Sequence, residues 1–435
     1  MRVGLLFVSW FIALSATAQL SEQYLELKTF TGKQTNLPTD SSAALYPYYH
    51  KELHYLYPLY KAFQKEKTIL AATDAATYYD QLSQALAFAG DYASVLQLSK
   101  LGHDPVSDSA ISFTSKQTET IKSIQYADAR QYILKKAATS RVVMINEAHD
   151  KPLHRAFTAS LLEGLYQEGF RYLAMETLNT NRNTPLTRLN MYTGHYTCEP
   201  MGGELVRKAL EIGYKLVAYE DSLAYKHGPN QREYIQASNI NAILKKDSTA
   251  KILVHAGYGH ISKIATENYI PMAAYFSVIS GIDPLTIDQT SLCEGSTSND
   301  KASFYETWLK LRPVAAPVVP LQSDTALDPF GYKLYDVYVI HPATKFHNGR
   351  PQWANMDGWK KELPVPPAFQ SLFFVQAYYA NEYNDKTAGL VVPADQTYIN
   401  APNGYYYLYL RKSRYKIVFR DKLYAVLGVK EIEVK

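Results

Sequence analysis

Cysteine is almost missing from this chain: only Cys198 and Cys293 occur among 435 residues. That excludes a scaffold stapled by several disulfides, and with no second cysteine near either one a cysteine-built metal centre is not expected. A single disulfide between the two stays open, because sequence does not tell whether their α-carbons come within the ~4.4 to 6.8 Å a bridge needs. Charge of one sign is missing as well. The 45 basic and 41 acidic side chains leave a net +4 with no basic run, so nothing asks for nucleic acid or an acidic membrane surface. Long apolar runs are scarce. Val3 to Leu14 falls short of the ~20 apolar residues of a spanning helix. Arg2 before that run and Ala16-Thr17-Ala18 after it complete a secretory signal peptide over residues 1–18, cut before Gln19. The mature chain is expected to be soluble, periplasmic or secreted, with no membrane span.

What is present is a globular composition, 47% hydrophobic and 20% charged, long enough for two or three domains. Tyrosine is abundant, 37 against 16 phenylalanines, which suits either a half-exposed binding face or strands and an outer core. Three stretches follow from patterning. Residues 19–126 read as a helical lead-in or cap, with Leu53, Leu56, Tyr57 and Tyr60 at helical spacing and two helices, Tyr79 to Gly90 and Asp91 to Leu101. Residues 127–362 alternate short apolar runs with amphipathic helices, the signature of an α/β domain with a mostly parallel central sheet flanked by helices. Strands are predicted at Val142 to Ile145, Tyr172 to Met175, Lys215 to Ala218, Ile252 to Val254 and Val337 to Ile340. Helices are predicted from Pro152 to Glu168 and from near Gln231 to Lys246. Residues 366–435 switch to period two and read as a small β-rich appendage, with strands at Tyr405 to Arg411, Tyr415 to Arg420, Leu423 to Leu427 and Glu431 to Val434 and a turn at Asn403-Gly404.

Each predicted central strand runs out into titratable residues: Glu147, His149 and Asp150, then Glu176, then Glu220 and Asp221, then His255 and His260, then His341. In a parallel sheet these ends share one edge, where open α/β sheets hold ligands. Plainer roles stand beside the functional one. Asp150 is a good helix N-cap, Glu220 and Asp221 cannot both point into one site from extended chain, and one of the two histidines could be a core residue. His341, ahead of Pro342, is expected to be structural. Tyr258 lies between Gly257 and Gly259, in a loop whose glycines let backbone approach a ligand.

Asn146-Glu147-Ala148-His149, Met175-Glu176 and Gly257-Tyr258-Gly259-His260, each after a strand, resemble the motifs of the superfamily of erythromycin esterases, ChaN-like haem-binding proteins and Tiki/TraB proteases. The likeness covers residues 127 to 345. It departs at Asn146, where glycine is common, and in having Ala148 alone between Glu147 and His149, which argues against macrolide esterase activity. The resemblance implies a catalytic set of Glu147, His149, Glu176, Arg232 and His260, with Glu220, His255 and Tyr258 around the ligand. Its esterase branch implies His149 as general base; its Tiki branch implies a divalent metal on His149, Glu176 and His260. Its ChaN branch implies haem or another small ligand held without turnover.

Overall fold

The computed structural model describes residues 20–101, 114–181, 186–296 and 299–435. The signal peptide expected over residues 1–18 lies outside them. Six strands, β1 (Val142–Glu147), β2 (Tyr172–Met175), β3 (Lys215–Ala218), β4 (Ile252–Gly257), β5 (Leu285–Asp288) and β6 (Val337–Tyr338), form one sheet. Its order is β6-β5-β1-β4-β2-β3 and every pairing is parallel, so the α/β reading holds. The chain winds to one side of β1 as far as β4 and to the other with β5 and β6, which puts β1 at the switch point of the sheet. Both β1 and β4 are buried along their whole length, as strands covered on two faces must be. Their register sets Glu147 opposite Gly257, and that of β2 with β4 sets Met175 opposite His255. The outgoing chain after these three strands therefore emerges side by side. Only β5 escaped the sequence pattern, because Thr286 and Asp288 interrupt its apolar run.

The helix Pro152–Gln167 follows β1, with Pro152 in its first turn and Leu161, Leu162 and Leu165 in the core. A second helix, Pro200–Ile212, was not expected, since Gly202-Gly203 resembles a turn signal. Glu199 makes it: its carboxylate accepts from the N–H groups of Met201 and Gly202, each at 2.8 Å. Gly202 lets this helix start close to the preceding turn, since a Cβ there would collide with the carbonyl oxygen of Tyr196.

The N-terminal stretch forms helices Tyr57–Ala72, Ala75–Ala89 and Tyr92–Leu101, the last two joined where Gly90 turns left-handed at φ 85°. At the other end lie β7 (Lys361–Val365), β8 (Phe374–Tyr379), β9 (Asp395–Thr397), β10 (Tyr406–Leu410), β11 (Ser413–Arg420) and β12 (Val426–Val434). They make an antiparallel sheet of order β9-β8-β11-β12 and a separate pair, β7 with β10. The strand expected at Leu423 to Leu427 is instead a turn through Tyr424, whose N–H donates to the Asp421 carbonyl at 3.1 Å, followed by the start of β12. This β unit shares the main core: Phe374, Tyr398 and Tyr424 join the same apolar cluster as Leu56 and Leu161. Gln396 donates to the Phe88 carbonyl and the Tyr398 hydroxyl to Asp91, each at 2.7 Å. Much of the tyrosine surplus is core, as with Tyr55, Tyr60, Tyr219, Tyr378 and Tyr415. Cys198 and Cys293 are both buried free thiols.

Candidate active site at the carboxyl edge of the sheet

Glu147 ends β1 and is 2% exposed, so its charge needs a partner. Arg155, in the first turn of the following helix and fully buried, supplies it as a fork: Nε to Oε2 at 2.7 Å and Nη2 to Oε1 at 2.8 Å. The same guanidinium donates to the His149 carbonyl at 3.1 Å and to Glu199 at 3.0 Å. Burial pushes the Glu147 carboxyl up, but the Arg155 charge and the hydrogen bonds around it hold it well below the usual carboxylate range. Glu147 thereby stays ionised and faces Nδ1 of His149 at 3.2 Å. A proton on Nδ1 leaves Nε2 as the bare nitrogen of the ring. The ring itself is fixed by stacking on Tyr196 at 4.1 Å and by the edge contact of Tyr258 at 4.9 Å.

Glu176 follows β2. Its Oε2 accepts from the Gly257 N–H and its Oε1 from Nη2 of Arg232 at 2.9 Å. Gly257 has an ordinary backbone conformation, so the need for glycine there is steric. A Cβ would lie 2.7 Å from Nε2 of His149 and 2.9 Å from Oε2 of Glu176, which brings both groups to one small space. Arg232 comes from the first turn of the helix Pro229–Lys246 and is gripped in turn by Glu220, at 3.0 and 2.7 Å. His260 lies in the short turn after β4, with Nδ1 at 2.6 Å from Glu233 and Nε2 at 3.5 Å from Glu176. Burial lowers its affinity for a proton, yet Glu176 and Glu233 together raise the pKa to about 10, so it is an imidazolium at neutral pH.

Glu147, His149, Glu176 and His260, expected at the strand ends, thus converge, and Arg232, named from the resemblance, joins them from a helix start. Glu220 reaches the site by holding Arg232, and Tyr258 by covering His149. His255 is a different case: it points into the sheet, 2% exposed, with Nε2 at 3.7 Å from Glu147, and burial lowers its pKa. His341 is a core residue bonded to Gln289 at 3.2 Å. The pattern missed Arg155, Glu199, Tyr196 and Glu233. The first two left a trace, an arginine among the apolar residues of its helix and a Glu-Pro helix start; the other two left none.

The set named for a metal does not fit one in this arrangement. The Arg232 guanidinium donates to Oε1 of Glu176 and stands 3.3 Å from Nε2 of His260, a fixed positive charge among the three groups a cation would need. Among the described residues no group of three or more His, Cys, Asp or Glu side chains is placed to hold a metal ion.

Beside the site lies a cavity of about 430 Å³. Tyr258 and Asp150 form its floor at the sheet edge, and Ala76, Tyr79, Asp80 and Ser83 of the helix Ala75–Ala89 form the facing wall. The N-terminal helices therefore cover one side of the cavity.

No family model matches the chain, and no curated protein matches it. Among solved structures, the chain is similar to RRSP, an effector domain of a MARTX toxin from Vibrio vulnificus CMCP6, at 14% identity and a TM-score of 0.29, over 62% of this chain and 63% of that one. A structure described as bacterial protein toxins aligns at 14% identity and a TM-score of 0.27, over 61% and 62% of the two chains. The chain spans less than two thirds of either structure.

Proposed function

We propose that this chain is an extracytoplasmic hydrolase that activates water with His149 and acts on an ester or related acyl bond. The observation that carries the reading is the approach of His149 Nε2 and Glu176 Oε2 to the same point beside Gly257. A water held between Nε2 of His149 and Oε2 of Glu176 would give its proton to Nε2, while Glu147 opposite Nδ1 stabilises the imidazolium that forms. The attacking oxygen adds to the carbonyl carbon, and the oxyanion is met by Arg232, the guanidinium with the most open side chain of the site at 27% exposure. His149 then returns its proton to the leaving oxygen as the carbon–oxygen bond breaks. Glu176 orients the water and keeps Arg232 in place. None of these roles requires a metal or haem.

The test is turnover of p-nitrophenyl esters by mature protein after exhaustive chelation. H149A and E176Q are each expected to lower kcat by about 10² to 10⁴-fold, the usual worth of general acid–base catalysis, H149A with little change in Tm and E176Q with a lower Tm because Arg232 and His260 lose a buried counter-charge. Activity that vanishes on chelation and returns with a divalent metal would favour the metal-dependent branch instead. A Soret band that shifts on adding haem, without any esterase turnover, would favour a binding protein.

A further inference from the structure

The turn that carries Glu176 is built on an unfavourable residue. It runs from Met175 to Leu178, closed by a long 3.5 Å bond from the Leu178 N–H to the Met175 carbonyl, with Thr177 third and left-handed at φ 61°. That place in a turn ordinarily takes glycine or asparagine, because a branched Cβ crowds the backbone there. Among the described non-glycine residues with positive φ, Thr177 is the one β-branched side chain. Strain of this kind persists only where the surrounding structure holds it, and it gathers at functional sites. What Thr177 offers in return is its hydroxyl: Oγ1 accepts from the Tyr196 N–H at 3.3 Å. A branched side chain has few rotamers, so the hydroxyl is aimed as well as present. Backbone pairing reinforces the contact, since Leu178 bridges Gly194 and the Asn179 N–H donates to the Thr193 carbonyl at 2.8 Å. Tyr196 opens the short turn Tyr196–Cys198, stacks on His149 with the ring planes 17° apart, and leads into Glu199, which holds Arg155. One residue therefore meets both halves of the site, Glu176 through the chain and His149 through Tyr196.

We infer that Thr177 is a positioning residue, whose hydroxyl fixes the Tyr196 ring against His149 while its left-handed backbone turns Glu176 toward the same space. It acts through Tyr196 and Glu176 rather than on the substrate. The inference rests on the hydrolase reading for its effect on rate, but not for its effect on the His149 ring. A turn that merely completed the fold would leave the stack indifferent to the hydroxyl.

Two variants of the mature protein decide it. T177V keeps the shape and branching of the side chain and removes the hydroxyl; T177S keeps the hydroxyl. T177V is expected to lower kcat for p-nitrophenyl ester hydrolysis about tenfold with KM unchanged, since misplaced reacting groups cost rate rather than binding, and T177S to stay within about threefold of wild type. The second readout needs no turnover. In proton NMR at fixed pH, the Hε1 signal of His149, assigned by its absence in H149Q, should lie upfield of a free imidazole under the Tyr196 ring current. It should move downfield in T177V and stay in place in T177S. An unmoved signal in T177V, wild-type kcat in T177V, or T177S as impaired as T177V would each overturn the positioning role. Should valine prevent folding, as circular dichroism would report, T177A removes the hydroxyl with less crowding and is read in the same way. A wild type without ester turnover removes the hydrolase reading alone, and the NMR comparison then decides Thr177 by itself; turnover with an unmoved signal does the reverse.

Discussion

Side chains at this site work in charge-compensated groups. Glu147, Arg155 and Glu199 form one, in which a single buried guanidinium answers two buried carboxylates. Taking away one member of such a group costs about 3 to 5 kcal/mol because the others are left uncompensated, so its value lies in fixing geometry more than in net stability. Glu176, Arg232, Glu220, His260 and Glu233 form the second group, and it makes stability depend on pH in both directions. His260 has a folded pKa of about 10, above the ~6.5 of a free imidazole. Its contribution is whole below about pH 6.5 and is lost as the pH rises towards 10. Glu176 is the opposite case. Burial raises its carboxyl, but the hydrogen bond to His260 and the nearby positive charges depress it below the usual range, so its contribution is present at neutral pH and lost on acidification. The Tm of the wild-type protein should therefore fall between pH 6.5 and 10 more steeply than that of H260Q. Parallel curves for the two proteins would mean that His260 carries no charge in the folded state.

Among the elements, β1 and β4 do most to build the site. Their in-register parallel pairing sets Glu147 against Gly257, and the lack of a side chain at Gly257 opens the space that His149 and Glu176 share. G257A should therefore impair the proposed ester hydrolysis by displacing His149 while the sheet persists, with far-ultraviolet circular dichroism unchanged and kcat reduced at least tenfold. Wild-type kcat in G257A would show that the two groups need no common space. The helix Pro200–Ile212 acts at longer range. Its start at Glu199 touches Arg155, and farther along Glu204 and Arg207 meet the C-terminal unit: Arg207 pairs with Glu382 at 2.6 Å, and Glu204 accepts from the Tyr379 hydroxyl at 3.0 Å. One helix thus connects the active-site carboxylate to the β unit beyond it.

At the scale of the whole molecule, the three stretches read from patterning are present as types of structure but are packed as one body. Deleting residues 366–435 would strip the buried partners from Glu204, Arg207 and Phe88 and expose the apolar face they cover. The truncated chain is expected to be insoluble or to lack a cooperative unfolding transition; a soluble fragment with native-like melting would mean that the β unit is a true appendage. The α/β class, five of the six sheet strands and the strand-end residues were legible in the sequence because they follow from local causes: apolar runs of strand length, helical spacing, and the rule that parallel strands share one carboxyl edge. The same local cues separated the period-two C-terminal stretch from the rest. What the chain order could not reveal was which side chains answer one another across it. Arg155 beneath Glu147, Glu233 behind His260, Tyr196 stacked on His149 and Asp80 across the cavity from Asp150 are meetings of residues that no spacing encodes. They were decided by tertiary structure alone, because a buried charge takes its partner from whichever element the packing brings within reach.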